Sequence, residues 1–379
     1  MADVTAARLD VDALLADPAI RIVVCCGSGG VGKTTTAAAL GLRAAEVHGR
    51  RTVVLTIDPA RRLAQSMGLT ELDNTPRQVK GIDAGASGGE LHAMMLDMKR
   101  TFDEVVEQHT TPKRAAEIFA NPFYQAMSST FAGTQEYMAM EKLGQLRSGD
   151  QWDLIVVDTP PSRSALDFLD APARLSRFLD GRMLRMLLAP ARAGGKSMFS
   201  LVTASFGLFS RVVQKILGAQ LLTDLSGFVA ALDSMFGGFR QRADQTYRIL
   251  QDPQTAFLLV AAPEKDAIRE AAYFAERLVT ERMPLSGLVL NRMHQTEPAG
   301  LSAEESEAAA DRLATAGDQP VTADALRIHA ALLRQSEREI RVAAGFTEAF
   351  PQVPTTAVAA QPADVHDVDG LRTIGALLA

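Results

Sequence analysis

The sequence predicts an α/β fold in which helices flank a parallel sheet and a helical subdomain is inserted between strands. Short β-branched runs alternate with longer segments of helical period, as expected for βαβ units. One predicted strand, Trp152–Val157, is apolar almost throughout, which is typical of strands buried on both faces. Two long helical segments interrupt the alternation, and Asn121–Pro122 predicts a break within the first of them. We therefore expect a core made of residues 1–98, 147–172 and 251–379, and an inserted helical subdomain made of residues 99–146 and 173–250.

The elements of the core are expected in a regular order. After a short helix at Val11–Ala16, the strands are predicted at residues 20–26, 52–57, 91–96, 152–157, 256–261, 287–290 and 353–358. The core helices are predicted at residues 34–47, 266–282, 368–378 and, as two surface helices, within 302–344. Residues 73–90 are rich in turn formers and have no period, so we expect a loop there.

Length, charge and cysteine content exclude several classes of protein. The chain has 379 residues, of which 47% are hydrophobic and 22% charged, enough for one large core or two. Its net charge of −6 argues against a nucleic-acid-binding face. Cys25 and Cys26 are neighbours on a predicted strand and point to opposite faces, so we expect no disulfide. The sequence has no CxxC pair and no Cys/His cluster, so we expect no zinc site. With no signal peptide and no apolar stretch of about eighteen residues, a soluble, cytoplasmic protein is expected.

The stretch after the first predicted strand has the pattern of a phosphate-binding loop. Gly27, Gly32, Lys33 and Thr34 match G-x-x-x-x-G-K-[ST] between a strand and a helix, as a P-loop NTPase requires. Lys33 is expected to reach the β- and γ-phosphates, and Thr34 to ligate Mg²⁺. The sequence therefore predicts that the chain binds a nucleoside triphosphate and Mg²⁺, with the nucleotide contacted by Gly27, Ser28, Gly29, Gly30, Val31, Gly32, Lys33, Thr34 and Thr35.

Two aspartates follow predicted strands of the core. Asp58 closes the second strand, and Asp158 follows four apolar residues, as a Walker-B aspartate does. Because ligands of parallel α/β sheets bind at the carboxyl ends of the strands, both carboxylates are expected near the phosphates. We expect Asp58, with Lys33, to be catalytic by orienting water or holding Mg²⁺, and Asp158 to bind Mg²⁺ through water. An Asp-Pro turn without a catalytic role is the alternative for Asp58.

Two further stretches have patterns that indicate a functional role. Residues 159–164 are expected to act as a switch that moves when the γ-phosphate leaves. Residues 206–239 have a wide apolar face rich in Phe and Met, and two interpretations of it remain open. It is either buried core or a partly exposed groove for a hydrophobic partner.

Several segments resemble the ArsA-type ATPases, a family that includes arsenite-pump ATPases and the ATPase that delivers tail-anchored membrane proteins. Gly27–Thr35 resembles the family's deviant Walker loop, Thr56–Ala60 its first switch and Asp158–Pro161 its second. Further segments are similar at residues 132–141, 261–264, 290–292 and 353–354. The resemblance implies an Mg²⁺-dependent ATPase in which Asn291 contacts adenine and Pro354 belongs to the segment that closes the adenine pocket.

The resemblance also implies a dimer in which a lysine, second in the loop, reaches into the partner's site. This chain has Ser28 there, and a serine cannot supply a cation to a transferring phosphoryl group. We therefore expect pairing with a related ATPase subunit that donates the lysine, in preference to a homodimer. In a homodimer, Arg61, Arg62 or Arg163 would have to substitute for it.

Other departures from the family narrow the predicted function. The cysteines of the arsenite pump's metalloid site, and those that bridge targeting dimers through zinc, are absent, so neither arsenite transport nor zinc is expected. We expect instead a hydrophobic or membrane-protein client at residues 173–250, with membrane association only through a partner. The alternatives are a partitioning or positioning ATPase of the ParA or MinD kind, and a nucleotide-binding regulatory subunit.

Overall fold

The computed structural model describes residues 7–379 except 58–61, 70–71, 84, 86–87, 123, 126–127, 129–133, 161–240, 243, 295–299 and 318. Contacts divide the chain into two compact units, one of residues 1–95, 149–166 and 249–379 and one of residues 96–148 and 167–248. The predicted boundaries of the core lie a few residues away from these. Because most of the second insertion is outside the described residues, the extent of the helical subdomain stays a prediction.

The first unit is built on an eight-stranded sheet with the order β3-β4-β2-β5-β1-β6-β7-β8. The strands are β1 Ile22–Cys26, β2 Arg51–Thr56, β3 Arg77–Gln78, β4 Glu90–Met95, β5 Leu154–Asp158, β6 Thr255–Ala261, β7 Leu285–Met293 and β8 Thr355–Ala359. All neighbours pair in parallel except β3 and β4. The prediction of a parallel α/β sheet is confirmed, and it missed only the two-residue β3 within the expected loop at 73–90.

Burial explains why the central strands read as continuous apolar runs. Every residue of β1, β5 and β6 is buried, because helices cover both faces of a parallel sheet. The helices of the first unit are α1 Val11–Ala16, α2 Lys33–Glu46, α3 Arg62–Ser66, α7 Lys265–Thr280, α8 Ala303–Ala316, α9 Pro320–Ala349 and α10 Val368–Leu378. The predicted pair of surface helices within 302–344 corresponds to α8 and α9, of which α9 extends to Ala349.

The amino-terminal segment is held to the sheet by a buried arginine. The Arg50 guanidinium, 7% exposed, donates hydrogen bonds to the carbonyl oxygens of Leu15, Asp17, Ile20 and Asp153 at 2.5–3.2 Å. One side chain thereby satisfies backbone acceptors from two separate segments, residues 15–20 and Asp153. Buried carbonyl groups require such partners. We conclude that Arg50 is a structural cation.

The described part of the second unit contains α4 Met98–His109, α5 Pro112–Phe119 and α6 Thr134–Ser148. The buried Tyr124 hydroxyl donates to Asp103 at 2.6 Å, and Lys142 pairs with Glu104 at 2.8 Å. The prediction placed a break only at Asn121–Pro122, whereas α4 already ends at His109 and Pro112 begins α5. Within the described ranges, no helix has both the length and the apolar composition that crossing a membrane requires.

Candidate functional site

The glycine-rich loop connects the carboxyl end of β1 to the first turn of α2, as predicted. A Cβ atom at Gly27 would lie 2.0 Å from the Val260 carbonyl oxygen of β6, so only glycine fits there. Gly32 adopts a left-handed backbone conformation, with φ of 93°, immediately before α2. The loop therefore brings backbone N–H groups and the positive end of the α2 dipole to the carboxyl edge of the sheet.

Lys33 reaches back over this loop. Its Nζ donates a hydrogen bond to the Ser28 carbonyl oxygen at 2.7 Å, and the residue is only 6% exposed. Gly29 and Gly30, at the tip of the loop, are exposed. The arrangement places an ammonium group among N–H donors at an accessible edge of the sheet, which suits an anionic polyphosphate.

One oxygen of the fully buried Asp158 carboxylate accepts two hydroxyl hydrogen bonds. Thr34 Oγ1 donates to Asp158 Oδ2 at 2.7 Å, and Thr56 Oγ1 donates to the same oxygen at 2.9 Å. The structure thus brings together two of the three predicted metal-site residues, Thr34 and Asp158. A carboxylate and a hydroxyl beside a phosphate loop are hard oxygen donors, and this donor set fits Mg²⁺.

Asn291, at the carboxyl end of β7, contacts the loop itself. Its Nδ2 donates to the Val31 carbonyl oxygen at 2.8 Å and lies 2.2 Å from where a Cβ at Gly32 would be. Asn291 therefore holds the loop in place, a role that the sequence analysis missed because the two residues are 260 positions apart. The predicted contact between Asn291 and adenine stays a prediction.

Pro354 does not join this group of residues. It immediately precedes β8 and therefore lies at the amino end of that strand. Its carbonyl oxygen accepts a hydrogen bond from the N–H of Leu288 in β7. Asn291 follows Leu290, which pairs with Ala357 farther along β8. Because ligands bind at the carboxyl ends of parallel strands, the position of Pro354 does not support its predicted role in the adenine pocket.

The structure describes only some of the remaining predicted residues. Asp58, Arg61, Arg163 and residues 206–239 lie outside the described residues, so their roles stay predictions. Of the second switch the structure describes Thr159 and Pro160, both buried. The Thr159 hydroxyl donates to the Cys25 carbonyl oxygen at 2.7 Å, which ties the start of this segment to β1.

The two cysteines lie beside this site, but their thiols are unreactive at neutral pH. Burial raises the pKa of the Cys26 thiol to about 12, and burial with the nearby Asp158 raises the pKa of Cys25 well above its usual value. Both thiols therefore stay protonated at neutral pH. Within the described residues, no cluster of three or more His, Cys, Asp or Glu side chains is arranged to hold a metal ion.

This chain has the strand, glycine-rich loop and helix of a P-loop, with the buried Lys33 at the start of the helix. Beside the loop, Thr34 contacts Asp158. These features define a P-loop nucleoside-triphosphate-binding protein. Comparison with known families identifies the branch. The model of the anion-transporting ATPase family, ArsA ATPase, matches residues 20–308. The chain belongs to this family of ATP-binding ATPases, and the resemblance inferred from the sequence is confirmed.

Individual relatives agree with this assignment. The chain is 24% identical over 289 residues to the ATPase GET3 of Malassezia globosa, covering 75% of this chain and 76% of that protein. It is likewise 24% identical over 282 residues to the ATPase get3 of Schizosaccharomyces pombe, covering 74% and 75%. A putative arsenical pump-driving ATPase of Chlorobaculum tepidum is 30% identical over 168 residues, 41% of this chain and 37% of that protein.

Proposed function

We propose that this chain is a Mg²⁺-dependent ATPase that hydrolyses ATP to ADP and phosphate and couples this cycle to a partner protein. The observation that carries the proposal is the contact between Thr34 and Asp158 directly beneath a loop that presents Lys33. Family membership supports the same activity. The family match over residues 20–308 also favours this function over a partitioning or positioning ATPase.

Each residue of the site has a defined task in this proposal. The loop N–H groups and Lys33 bind the phosphates, and Thr34 and Asp158 hold Mg²⁺, directly or through water. When bound, the ion neutralises phosphate charge and stabilises charge that develops in the transition state. Asp58, which follows β2 by two residues in the sequence, orients the attacking water. Asn291 keeps the loop in its binding conformation through Val31.

Ser28 makes hydrolysis dependent on a second subunit in this proposal. Its carbonyl oxygen already accepts the Lys33 hydrogen bond, and its side chain has no charge to offer a neighbouring site. A cation at a transferring phosphoryl group raises turnover strongly. A related subunit with a lysine at this position would therefore stimulate ATP hydrolysis by this chain.

A mixing experiment tests the dependence on a donated lysine. The double variant Ser28→Lys/Lys33→Ala should be inactive itself but should donate a lysine to the wild-type chain. We expect it to raise wild-type ATP turnover by roughly tenfold or more, while Ser28→Ala/Lys33→Ala does not. Equal effects of both donors, or a fully active wild-type homodimer, would contradict a heteromeric pair. ATP binding without turnover under either donor would instead favour the regulatory-subunit alternative.

We also propose a hydrophobic or membrane-protein client for residues 173–250, with the protein in the cytoplasm and at membranes only through a partner. The wide apolar face of 206–239 supports a client groove, and the name of the pump-driving relative fits an ATPase that serves another protein. The test is a Val213→Asp/Leu217→Asp variant. A groove predicts lost binding of a labelled apolar helical peptide at unchanged Tm, whereas a core predicts a large fall in Tm.

A further inference from the structure

Two helices of the first unit, α7 and α9, form a groove of about 580 Å³. Each helix contributes residues spaced i, i+3, i+4 and i+7, which lie on one face of a helix. The lining residues are Lys265, Ile268, Arg269 and Ala272 from α7, and Arg338, Arg341, Val342 and Gly345 from α9. The groove is therefore built from two matching helical faces and extends over about two turns of each.

The floor of the groove is apolar and has spare room. Ile268 is buried, Ala272 and Val342 are half-buried, and small residues leave space beside them. A Cβ atom built on the exposed Gly345 would meet nothing within 4 Å. An apolar side chain of a ligand can therefore enter the groove without displacing the protein's own atoms.

The walls of the groove are cationic. Lys265, Arg269, Arg338 and Arg341 are all exposed, in a chain whose net charge is −6. Arg269 pairs with the exposed Asp266 at 2.9 Å, while Lys265, Arg338 and Arg341 have no acidic partner within 4.0 Å among the described residues. Basic charge is thus concentrated around an apolar floor on a protein that is acidic as a whole.

We propose that this groove binds an acidic amphipathic helix of a partner protein. Leucine-like side chains of that helix occupy the floor, and its flanking carboxylates face Lys265 and Arg269 on one side and Arg338 and Arg341 on the other. A two-turn apolar stripe within two charged rows matches the helix-in-groove mode of recognition, in which anchors follow i, i+3, i+4 and i+7 spacing.

The probe is a fluorescein-labelled synthetic helix with Leu at i, i+3, i+4 and i+7 and Glu at the flanking positions. The control peptide has the same sequence with Lys in place of every Glu. With the full-length chain, fluorescence anisotropy should show that the Glu peptide binds at least about tenfold more tightly than the Lys peptide. Raising the salt from about 50 to about 300 mM should weaken binding of the Glu peptide, because the charges are exposed.

Matched variants locate the binding site. Arg338→Glu/Arg341→Glu should weaken the Glu peptide at least about tenfold and improve binding of the Lys peptide. Arg312→Glu/Arg327→Glu changes the net charge equally at exposed positions away from the groove, and it should leave the affinity within about twofold. Gly345→Leu should also weaken the Glu peptide, because its side chain fills the floor. The two groove variants should keep the wild-type Tm, because Arg338, Arg341 and Gly345 are exposed. All variants should keep the wild-type ATP affinity, because none of them changes the phosphate loop.

Three results would overturn the proposal. The first is equal binding of the Glu and Lys peptides, and the second is equal loss in the groove and control double variants. The third is binding to vesicles with anionic lipid that depends on Arg338 and Arg341 while neither peptide binds, which would assign the groove to a membrane surface. The outcome is independent of the proposed ATPase activity, because ATP turnover is not the readout.

Discussion

Thr34 and Asp158 are in contact across 124 residues of sequence, with Thr34 Oγ1 donating to Asp158 Oδ2 at 2.7 Å. The contact joins the first turn of α2 to the end of β5, beside the phosphate loop. Thr56 donates to the same oxygen from the end of β2. The Asp158 carboxylate is thus fixed by one hydroxyl that is a predicted Mg²⁺ ligand and by one that only positions it.

This difference between the two threonines is measurable. We predict that Thr34→Val raises the Mg²⁺ concentration needed for tight ATP binding by about tenfold or more, because a ligand oxygen is lost. Thr56→Val should change it less than about threefold and cost about 1 kcal/mol of stability, the value of one hydrogen bond. Titration of a fluorescent ATP analogue at several Mg²⁺ concentrations measures both. Equal effects of the two variants would show that Thr34 has no special place at the ion.

Asn291 can be tested for two different roles. If it holds the loop through Val31, the uncharged variant Asn291→Leu should weaken both ATP and inorganic tripolyphosphate by roughly tenfold, because the Val31 carbonyl oxygen would lose its donor. If it contacted only adenine, tripolyphosphate would bind as it does to the wild type. Calorimetric titration with the two ligands separates these outcomes, and unchanged tripolyphosphate affinity contradicts the loop-positioning role.

Arg50 should matter for folding and not for the nucleotide. Arg50→Met leaves the carbonyl oxygens of Leu15, Asp17, Ile20 and Asp153 without their shared donor, so we expect a loss of about 3 kcal/mol or more. The neighbouring Arg51, whose side chain is 52% exposed, is the control, and Arg51→Met should cost less than about 1 kcal/mol. Chemical unfolding followed by circular dichroism measures both. Similar losses would contradict the structural role of Arg50.

Asp12 gives the fold a defined acid dependence. The hydrogen bond from Arg43, helped by one with His48, lowers the pKa of Asp12 from 3.8 to about 2. Because the folded pKa is the lower one, the stabilisation is complete above about pH 4 and is lost as the pH falls towards 2. The side chain is 38% exposed, so solvent screening reduces the expected effect to about 1 kcal/mol.

The Asp12→Asn variant tests this dependence. Its Tm should be below that of the wild type at pH 7 and pH 5, and the difference should shrink as the pH falls below 4. Thermal unfolding at a series of pH values is the measurement. A difference in Tm that stays constant from pH 7 to pH 3 would mean that ionisation of Asp12 is not its source.

The sequence predicted the sheet and the loop because both rest on local patterns. Central strands such as β1 and β5 are apolar runs that end at turn residues, and the spacing of Gly27, Gly32 and Lys33 is itself the motif. The two-residue β3 is too short to show any period. The break between α4 and α5 was missed because Thr110 and Thr111 are weak signals beside Asn121–Pro122.

Contacts between distant segments that belong to no recognised motif were beyond sequence reasoning. No local sequence pattern predicts the hydrogen bond from Asn291 to Val31 or those from Arg50 to backbone carbonyl groups. Each of these contacts depends on how separate strands are arranged. Pro354 was placed by resemblance to a short segment, and the register of β8 against β7 shows it at the amino end of the strand. The charged groove between α7 and α9 likewise appears only when two helical faces meet.

The central claim is that the loop containing Lys33 binds ATP. Calorimetric titration with a slowly hydrolysed ATP analogue and Mg²⁺, on the wild type and on Lys33→Ala, tests it most directly. We predict a loss of affinity of at least about tenfold for Lys33→Ala, the value of a charge-assisted hydrogen bond to phosphate. The exposed Lys113→Ala variant should bind like the wild type. Unchanged ATP affinity in Lys33→Ala would contradict the assignment of this site.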